Sequence, residues 1–388
     1  MQIFKFIFKW LARIIFLLAI IVAAFWVRTK YISELQLINK PTDKVKSVVP
    51  ENPKEITYSW KYNNTQYTVK ETLYGSLYDF YRSSQKSYKY NGELPANWEN
   101  DFYSMFLGRV NNDNLISQIA ADLKSAAVQK KLNDDQIVEM TLAFVQSIPY
   151  DEARAKSILA GTGNTNYPYE TLYENRGICS DKSFLLYNLL KEMGYGAALL
   201  VYDAQKHMAV GIQCPKEYSS YDSGYCYAET TSENFRIGVI PDIDAKRGQA
   251  VGLKEINFYD QSQVSQFDGQ KLGEAQIFLP TSGQSYQGII KSYNLAKEID
   301  GLRKSMATLQ TELVAGKKSL EADYQEINNL KAKMDKYKRN EDYEEYNDLV
   351  PKYNKLIEKY QKAVKAYNQK VTDYNEKVKR YNSLIKSF

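Results

Sequence analysis

From Val350 onward one pattern repeats without a break. Val350, Ile357, Val364, Val371, Val378 and Ile385 recur every seven residues, and Tyr353, Tyr360, Tyr367, Tyr374, Tyr381 and Phe388 follow them by three. Apolar residues spaced this way share one stripe of an α-helix, and that stripe needs a second helix to cover it. A less regular register precedes it. Leu295, Leu302, Leu309, Gly316, Asp323, Leu330 and Tyr337 recur every seven, with Ile299, Met306, Leu313, Leu320, Ile327 and Met334 four residues later. Gly316 and Asp323 are its weak points. An acidic stretch, EDYEEYND, separates the two registers. Together they predict an antiparallel coiled-coil hairpin over residues 286–388, about 70 Å long at about 1.5 Å per residue. Two segments that pair with other chains are the alternative, and either arrangement allows self-association. Residues 351–388 carry 10 basic and 3 acidic side chains, which read as the solvated outer face of a helix.

The opposite end of the chain is apolar. Ile14 to Val27 contains no charge, and extension to Ile7 through Lys9 and Arg13 gives 21 residues. About 20 residues span a bilayer core, with basic side chains snorkelling at the ends and Trp10 and Trp26 at interfacial positions. Residues 1–30 are therefore expected to be a transmembrane anchor. The basic residues favour a cytoplasmic N-terminus and an extracytoplasmic bulk. A cleaved signal peptide ending near Val22-Ala23-Ala24 is the competing reading. Residues 31–55, with Pro41, Pro50 and Pro53, read as a linker.

Between these ends lies a globular unit, residues 56–285. ITYSWKYNNTQYTV alternates as one or two strands. Residues 75–147 are expected to be mainly helical, with a helix opening at Asp134. The run CSDKSFLLYNLLKEMGYG has a helical apolar period and a glycine stop. AALLVY, HMAVGIQ and YCYAETT then follow as short strands, which fits an antiparallel sheet behind one helix.

Composition narrows the chemistry. The chain's 388 residues include one histidine and three cysteines, with no CxxC or HxxxH pair, so no metal site and no cofactor are expected. The net charge of +5 is too mild to indicate nucleic acid. Cys179 stands where a glycine-bearing loop becomes a helix, so backbone N–H groups and the helix dipole favour thiolate there. His207 begins the second strand after that helix, and Glu229 lies on the third. Nucleophile, base and orienting carboxylate thus follow in chain order. Cys214 and Cys226 could bridge in an oxidising compartment, or remain two structural thiols.

These residues form a series of landmarks. Phe144-Val145-Gln146-Ser147-Ile148-Pro149-Tyr150 is followed by Tyr167-Pro168-Tyr169-Glu170-Thr171-Leu172 and Arg176-Gly177-Ile178-Cys179. Next come His207-Met208-Ala209-Val210-Gly211, Tyr227-Ala228-Glu229-Thr230-Thr231, Arg236-Ile237-Gly238 and Pro241. Residues 137–241 resemble the transglutaminase-like domain of the papain-like thiol enzymes, closest to the membrane-anchored archaeal and bacterial group. The resemblance implies Cys179 as nucleophile, His207 as general base and then acid, and Glu229 as orienting carboxylate. It offers Gln146 as an oxyanion donor beside the backbone N–H of Cys179. The relatives' Gly-Asp-Cys-Glu-Asp is Gly-Ile-Cys-Ser-Asp here, and the smaller negative charge beside the thiol favours thiolate.

The expected fold class is therefore α+β. A papain-like domain, with its cysteine helix packed on an antiparallel sheet, stands between the anchor and the coiled-coil hairpin. The expected function is thiol-dependent cleavage or acyl transfer at a peptide or amide bond of a protein or peptide substrate. The alternative is a non-catalytic interaction module in the cell envelope.

Overall fold

The computed structural model describes residues 47–244, 246–251 and 269–385, together with Val22. The anchor expectation for residues 1–30 therefore lies outside the described residues, Val22 excepted, as does most of the linker. Among the described residues no helix is long and apolar enough to cross a membrane.

The described chain opens with a hairpin of β1 (Pro53–Tyr62) and β2 (Thr65–Tyr74). Its turn is Asn63-Asn64, both at positive φ, which matches the right-handed twist of the flanking strands. Burial alternates along both strands, so one face carries Tyr58, Trp60, Tyr67 and Val69 inward and the other meets solvent. Helices α1 (Gly75–Ser83), α2 (Trp98–Met105) and α3 (Leu115–Gln129) follow. Helix α4 (Asp134–Ser147) starts at a capping box, in which Asn133 Oδ1 accepts from Gln136 N at 2.9 Å and Gln136 Oε1 accepts from Asn133 N at 3.0 Å. Phe144 on α4 meets the Trp60 ring at 5.2 Å and the Tyr58 ring at 5.7 Å, which seats the hairpin on this helix.

Two short helices, α5 (Glu152–Leu159) and α6 (Pro168–Glu174), lead to the central helix α7 (Cys179–Glu192). Eleven of its fourteen residues are buried. Its buried positions include Asp181, Lys182, Ser183 and Asn188, so this central helix brings polar side chains into the core that need partners there. Below it lies a sheet in the order β5-β4-β3-β9, formed by β3 (Ala197–Tyr202), β4 (His207–Gln213), β5 (Tyr225–Ala228) and β9 (Gln276–Phe278), all antiparallel. Every residue of β3 is buried, because α7 covers one face while Ile240, Leu272 and Ala275 pack near Leu200 and Tyr202 on the other. A small second sheet of β6 (Asp242–Asp244), β7 (Gln249–Ala250) and β8 (Gln270–Lys271) stands beside it. The mixed α+β class and the helix-on-sheet arrangement agree with the sequence. Glu229 differs slightly from expectation, since β5 ends at Ala228 and the carboxylate stands one residue beyond it.

The chain ends in α8 (Ile289–Arg339) and α9 (Tyr343–Ile385), which fold back on one another through Asn340, Glu341 and Asp342. The turn is closed by Asp342 N donating to Tyr337 O at 3.0 Å, with Glu341 in the left-handed region. Every described position of both heptad registers is buried or half-buried, and the two helices of the arm pack on one another along this seam. Its two weak points have partners. A Cβ on Gly316 would stand 3.1 Å from the Tyr367 ring, so the missing side chain makes room for an aromatic knob. Asp323 is buried and accepts from Lys359 at 2.8 Å.

The seam generates a stability prediction. Met306 is fully buried in it, whereas Val314 is 61% exposed. Met306→Ala is expected to cost about 2–5 kcal/mol of arm stability, and Val314→Ala less than about 0.5 kcal/mol. Helicity during urea unfolding of the full chain separates the two, and equal losses would contradict the register.

Candidate functional site

The loop before α7 is fixed by one buried carboxylate. Asp181 Oδ2 accepts from Ile178 N at 2.9 Å and from Arg154 Nη2 at 2.6 Å, and Oδ1 accepts from Asn166 N at 2.7 Å. Gly177 N donates to Pro149 O at 3.0 Å, and Asp151 N to Gly177 O at 3.2 Å. A Cβ at Gly177 would lie 3.0 Å from Thr171 and 3.2 Å from both Asp181 and Lys182, so a larger residue would have to push these side chains aside. These contacts set Cys179 as the first residue of α7, with its backbone N–H at the helix's positive end.

The base comes from the strand beneath. Ser183, one turn along α7, donates to Met208 O at 3.1 Å and ties the cysteine helix to the start of β4. There His207 is fully enclosed. Its Nε2 donates to Glu229 Oε2 at 3.1 Å, and its Nδ1 donates to Gly248 O at 2.9 Å. Glu229 has no exposed surface and three further donors. They are the Tyr227 hydroxyl at 2.6 Å, Thr231 N at 2.7 Å and the Thr231 hydroxyl at 2.6 Å.

Burial opposes charge on His207. The Glu229 carboxylate, with hydrogen bonds to Cys179 and Glu229, outweighs it and holds the imidazole protonated well above its ordinary range. For Glu229, burial alone would favour the neutral acid. The His207 charge and the hydrogen bonds from His207, Thr231 and Tyr227 prevail and hold it below the usual carboxylate range. The pair is an imidazolium and a carboxylate, satisfied on every side.

Cys179 and His207 share a pocket of about 440 Å³. Ala155, Ile158 and Leu159 of α5 form one wall, with Val201 and Met208 also lining the space. Apolar walls leave the polar contacts to the thiol, the imidazole and a few rim groups.

Gln146 corrects a sequence expectation. It is buried, and its Nε2 donates to Glu229 O and to Phe235 O, both at 2.8 Å. Both amide hydrogens are thereby committed to backbone carbonyls, and none is left for an oxyanion at the thiol. Gln146 instead anchors the segment that carries Glu229.

Several contributors escaped the sequence reading. The Tyr150 hydroxyl donates to Arg247 O at 2.5 Å, and Tyr150 lines the same pocket as Cys179. Lys182 is fully buried beneath the site and donates to Ile148 O at 2.6 Å and Gln146 O at 3.1 Å. Burial pushes its ammonium down to about 7, although Glu229 and Glu233 oppose the shift. Tyr150 belonged to a quoted motif, but no period or spacing marks its hydroxyl. Lys182 looked like an ordinary polar position on an amphipathic helix. Cys214 and Cys226, left open above, are bridged across neighbouring strand ends, with Cα atoms 5.8 Å apart.

A pH prediction follows from Glu229. Its folded pKa is depressed, so its contribution to stability is present above the unfolded value of about 4.3 and is lost as pH falls through the folded value. Removing a donor raises that folded value. Tyr227→Phe is expected to cost about 1.5–3 kcal/mol near neutrality and to start acid unfolding at a higher pH than the parent. Urea midpoints across an acid pH series measure both effects, and an unchanged acid limb would contradict the assignment.

A family model described as a transglutaminase-like domain matches residues 116–227, a span that includes Cys179 and His207 and ends two residues before Glu229. No curated protein and no solved structure matches the chain. On the family match and the helix-on-sheet geometry together, this chain carries at residues 116–227 a domain of the transglutaminase-like superfamily.

Proposed function

We propose that the protein is a cysteine enzyme of transglutaminase-like type that cleaves a peptide or amide bond, or transfers its acyl group, through a thioester on Cys179. One observation carries this reading. The chain's only free thiol begins a buried helix and opens into the same pocket as its only imidazole, which a buried carboxylate holds.

The chemistry follows from those positions. The thiolate of Cys179 attacks the carbonyl carbon and places negative charge on the carbonyl oxygen. That oxyanion forms beside the Cys179 N–H at the helix start. Tyr150 lines the same pocket, and turning its hydroxyl proton from Arg247 O towards the oxygen supplies a second donor. The Nδ1 proton of His207 turns from Gly248 O to the departing amine while Nε2 stays on Glu229, so the C–N bond breaks and a thioester remains. Water or an amine then gives a proton back to His207, attacks the thioester and releases the thiolate. Glu229 compensates the imidazolium throughout and keeps its plane fixed.

The apolar run from Ile14 to Val27 and the Cys214–Cys226 bridge support a membrane-anchored enzyme with its bulk in an oxidising, extracytoplasmic compartment. Protein or peptide substrates fit that setting, with the helical arm as a spacer or a self-associating element.

With the other two cysteines bridged, a thiol reagent reports on Cys179 alone. Iodoacetamide is expected to alkylate it at about pH 6 far faster than a free cysteine, whose pKa is about 8.5. His207→Ala should slow this by more than about tenfold, with Glu229→Gln in between. Tyr150→Phe should leave alkylation intact and slow acyl-enzyme formation from a peptide amide by about 10²-fold or less. An alkylation profile indifferent to His207→Ala would overturn the enzyme reading in favour of an interaction module.

A further inference from the structure

The Gly248 carbonyl that takes the Nδ1 proton of His207 belongs to a hairpin that cannot hold itself. Strands β6 and β7 contribute three and two residues, and only Ile243↔Ala250 and Asp244↔Gln249 pair between them. β6 makes two further pairs with β8, Asp242↔Lys271 and Ile243↔Gln270, and a ribbon this short is not stable alone. Its position is set by what it is tied to, and the firmest charged tie comes from the arm. Arg303, about four turns along α8, donates through Nη2 to Asp242 Oδ2 at 2.7 Å, with side chains only 9% and 13% exposed. Beside this pair, Ile243 and Ala250 pack in one apolar cluster with Ala296 of α8.

We propose that Arg303 of the helical arm is a positioning residue for His207, acting through Asp242 and the β6–β7 turn on the Gly248 carbonyl that receives the imidazole Nδ1 proton. The path is short and continuous. Asp242 opens β6, and its carbonyl accepts from Val251 N at 2.8 Å, so the residue clamps both ends of the hairpin. Asp244 O accepts from Gly248 N at 2.8 Å and from Arg247 N at 3.1 Å, which makes the turn a compact unit. Gly248 has a φ of +66°, and a Cβ there would lie 3.2 Å from Lys206 O, so the carbonyl's direction is set by a conformation suited to glycine. From that turn the Gly248 carbonyl meets His207 at 2.9 Å, while Arg247 O meets Tyr150. The same hairpin reaches the acid as well, because Ala250 N donates at 2.8 Å to the Thr231 hydroxyl that donates to Glu229.

Removing Arg303 leaves the half-buried Asp242 with only the weaker compensation of Lys271, which makes no close ion pair with it, so the carboxylate moves towards water. For Asp242 that movement draws β6 away from its place and takes the Gly248 carbonyl with it. The other charged tie of the turn, Arg247 to Glu152, is half exposed and contributes little. The seat of the arm on the domain therefore controls how the imidazole is presented to the thiol. The catalytic meaning of this control rests on the nucleophile-and-base reading above, whereas the pose of the imidazole can be observed without it.

The single histidine makes the test direct. In full-length protein labelled with ¹⁵N-histidine, one imidazole signal set reports Nδ1 and Nε2 of His207. Arg303→Gln is expected to shift the Nδ1 proton and speed its exchange with water, leave the helical circular dichroism unchanged, and slow Cys179 alkylation by roughly fivefold, the worth of one hydrogen bond. Asp242→Asn should do the same from the other end, and Arg303→Lys should recover part of the signal. Arg380→Gln breaks the exposed Arg380–Glu298 pair within the arm and should leave the signal in place. An unmoved Nδ1 signal in Arg303→Gln, an equal shift in Arg380→Gln, or unfolding of both Arg303→Gln and Asp242→Asn would overturn the proposal. If the Nδ1 signal moves but alkylation is indifferent to His207→Ala, the positioning role stands and the enzyme reading falls.

Discussion

A carboxylate without any contact with water organises this molecule. Glu229 is ionised inside the domain, and an isolated buried charge would cost many kcal/mol. It is tolerated because four donors converge on its two oxygens: the imidazolium of His207, the hydroxyls of Tyr227 and Thr231, and the Thr231 backbone N–H. The donors come from β4, from β5 and, twice, from Thr231 just after it, and all must arrive at hydrogen-bond distance. That requirement fixes the end of β5, the start of β4 and the segment after residue 229 relative to one another. It also fixes His207, since an imidazole that moves away strands the carboxylate.

The thiol side follows the same logic with different groups. Asp181 gathers Ile178, Asn166 and Arg154, and Lys182 takes the carbonyls of Gln146 and Ile148. Polar side chains on one helix turn thus hold the loop before Cys179 and the C-terminal end of α4. Gln146 continues this framework to the carbonyls of Glu229 and Phe235. Buried polar networks of this kind rigidify a site to the extent that their members are satisfied, and among the groups named here Arg154 Nε alone lacks a partner. Here the network reaches the thiol, the imidazole and the carboxylate through shared partners, leaving the pocket above them apolar.

The arm shows how far a pattern can be trusted and where it needs a partner to be understood. Its heptads specify two helices and the stripe on each that must be covered. Gly316 and Asp323 break the stripe when read along one helix. Across the seam, however, Gly316 receives the Tyr367 ring and Asp323 meets Lys359. The partner residues lie 51 and 36 positions away, so only the fold-back of the chain makes sense of them. At its base the arm is joined to the domain by the buried Arg303–Asp242 pair.

The sequence alone determined the helix that carries Cys179, the strands that carry His207 and approach Glu229, and the register of both arm helices. These features depend on local periodicity and on loop chemistry, and side chains a few residues apart express both. Tertiary structure alone decided the direction of Gln146, the place of Tyr150 in the pocket of Cys179, the bridge between Cys214 and Cys226, and the carbonyl of Gly248 on His207. Each of these depends on groups brought together from distant parts of the chain. A glutamine has the same letters whether its amide meets a substrate oxyanion or two backbone carbonyls, and a backbone carbonyl has no letter of its own. Such choices are made by burial, which leaves each polar group only the partners that the fold has placed within about 3 Å.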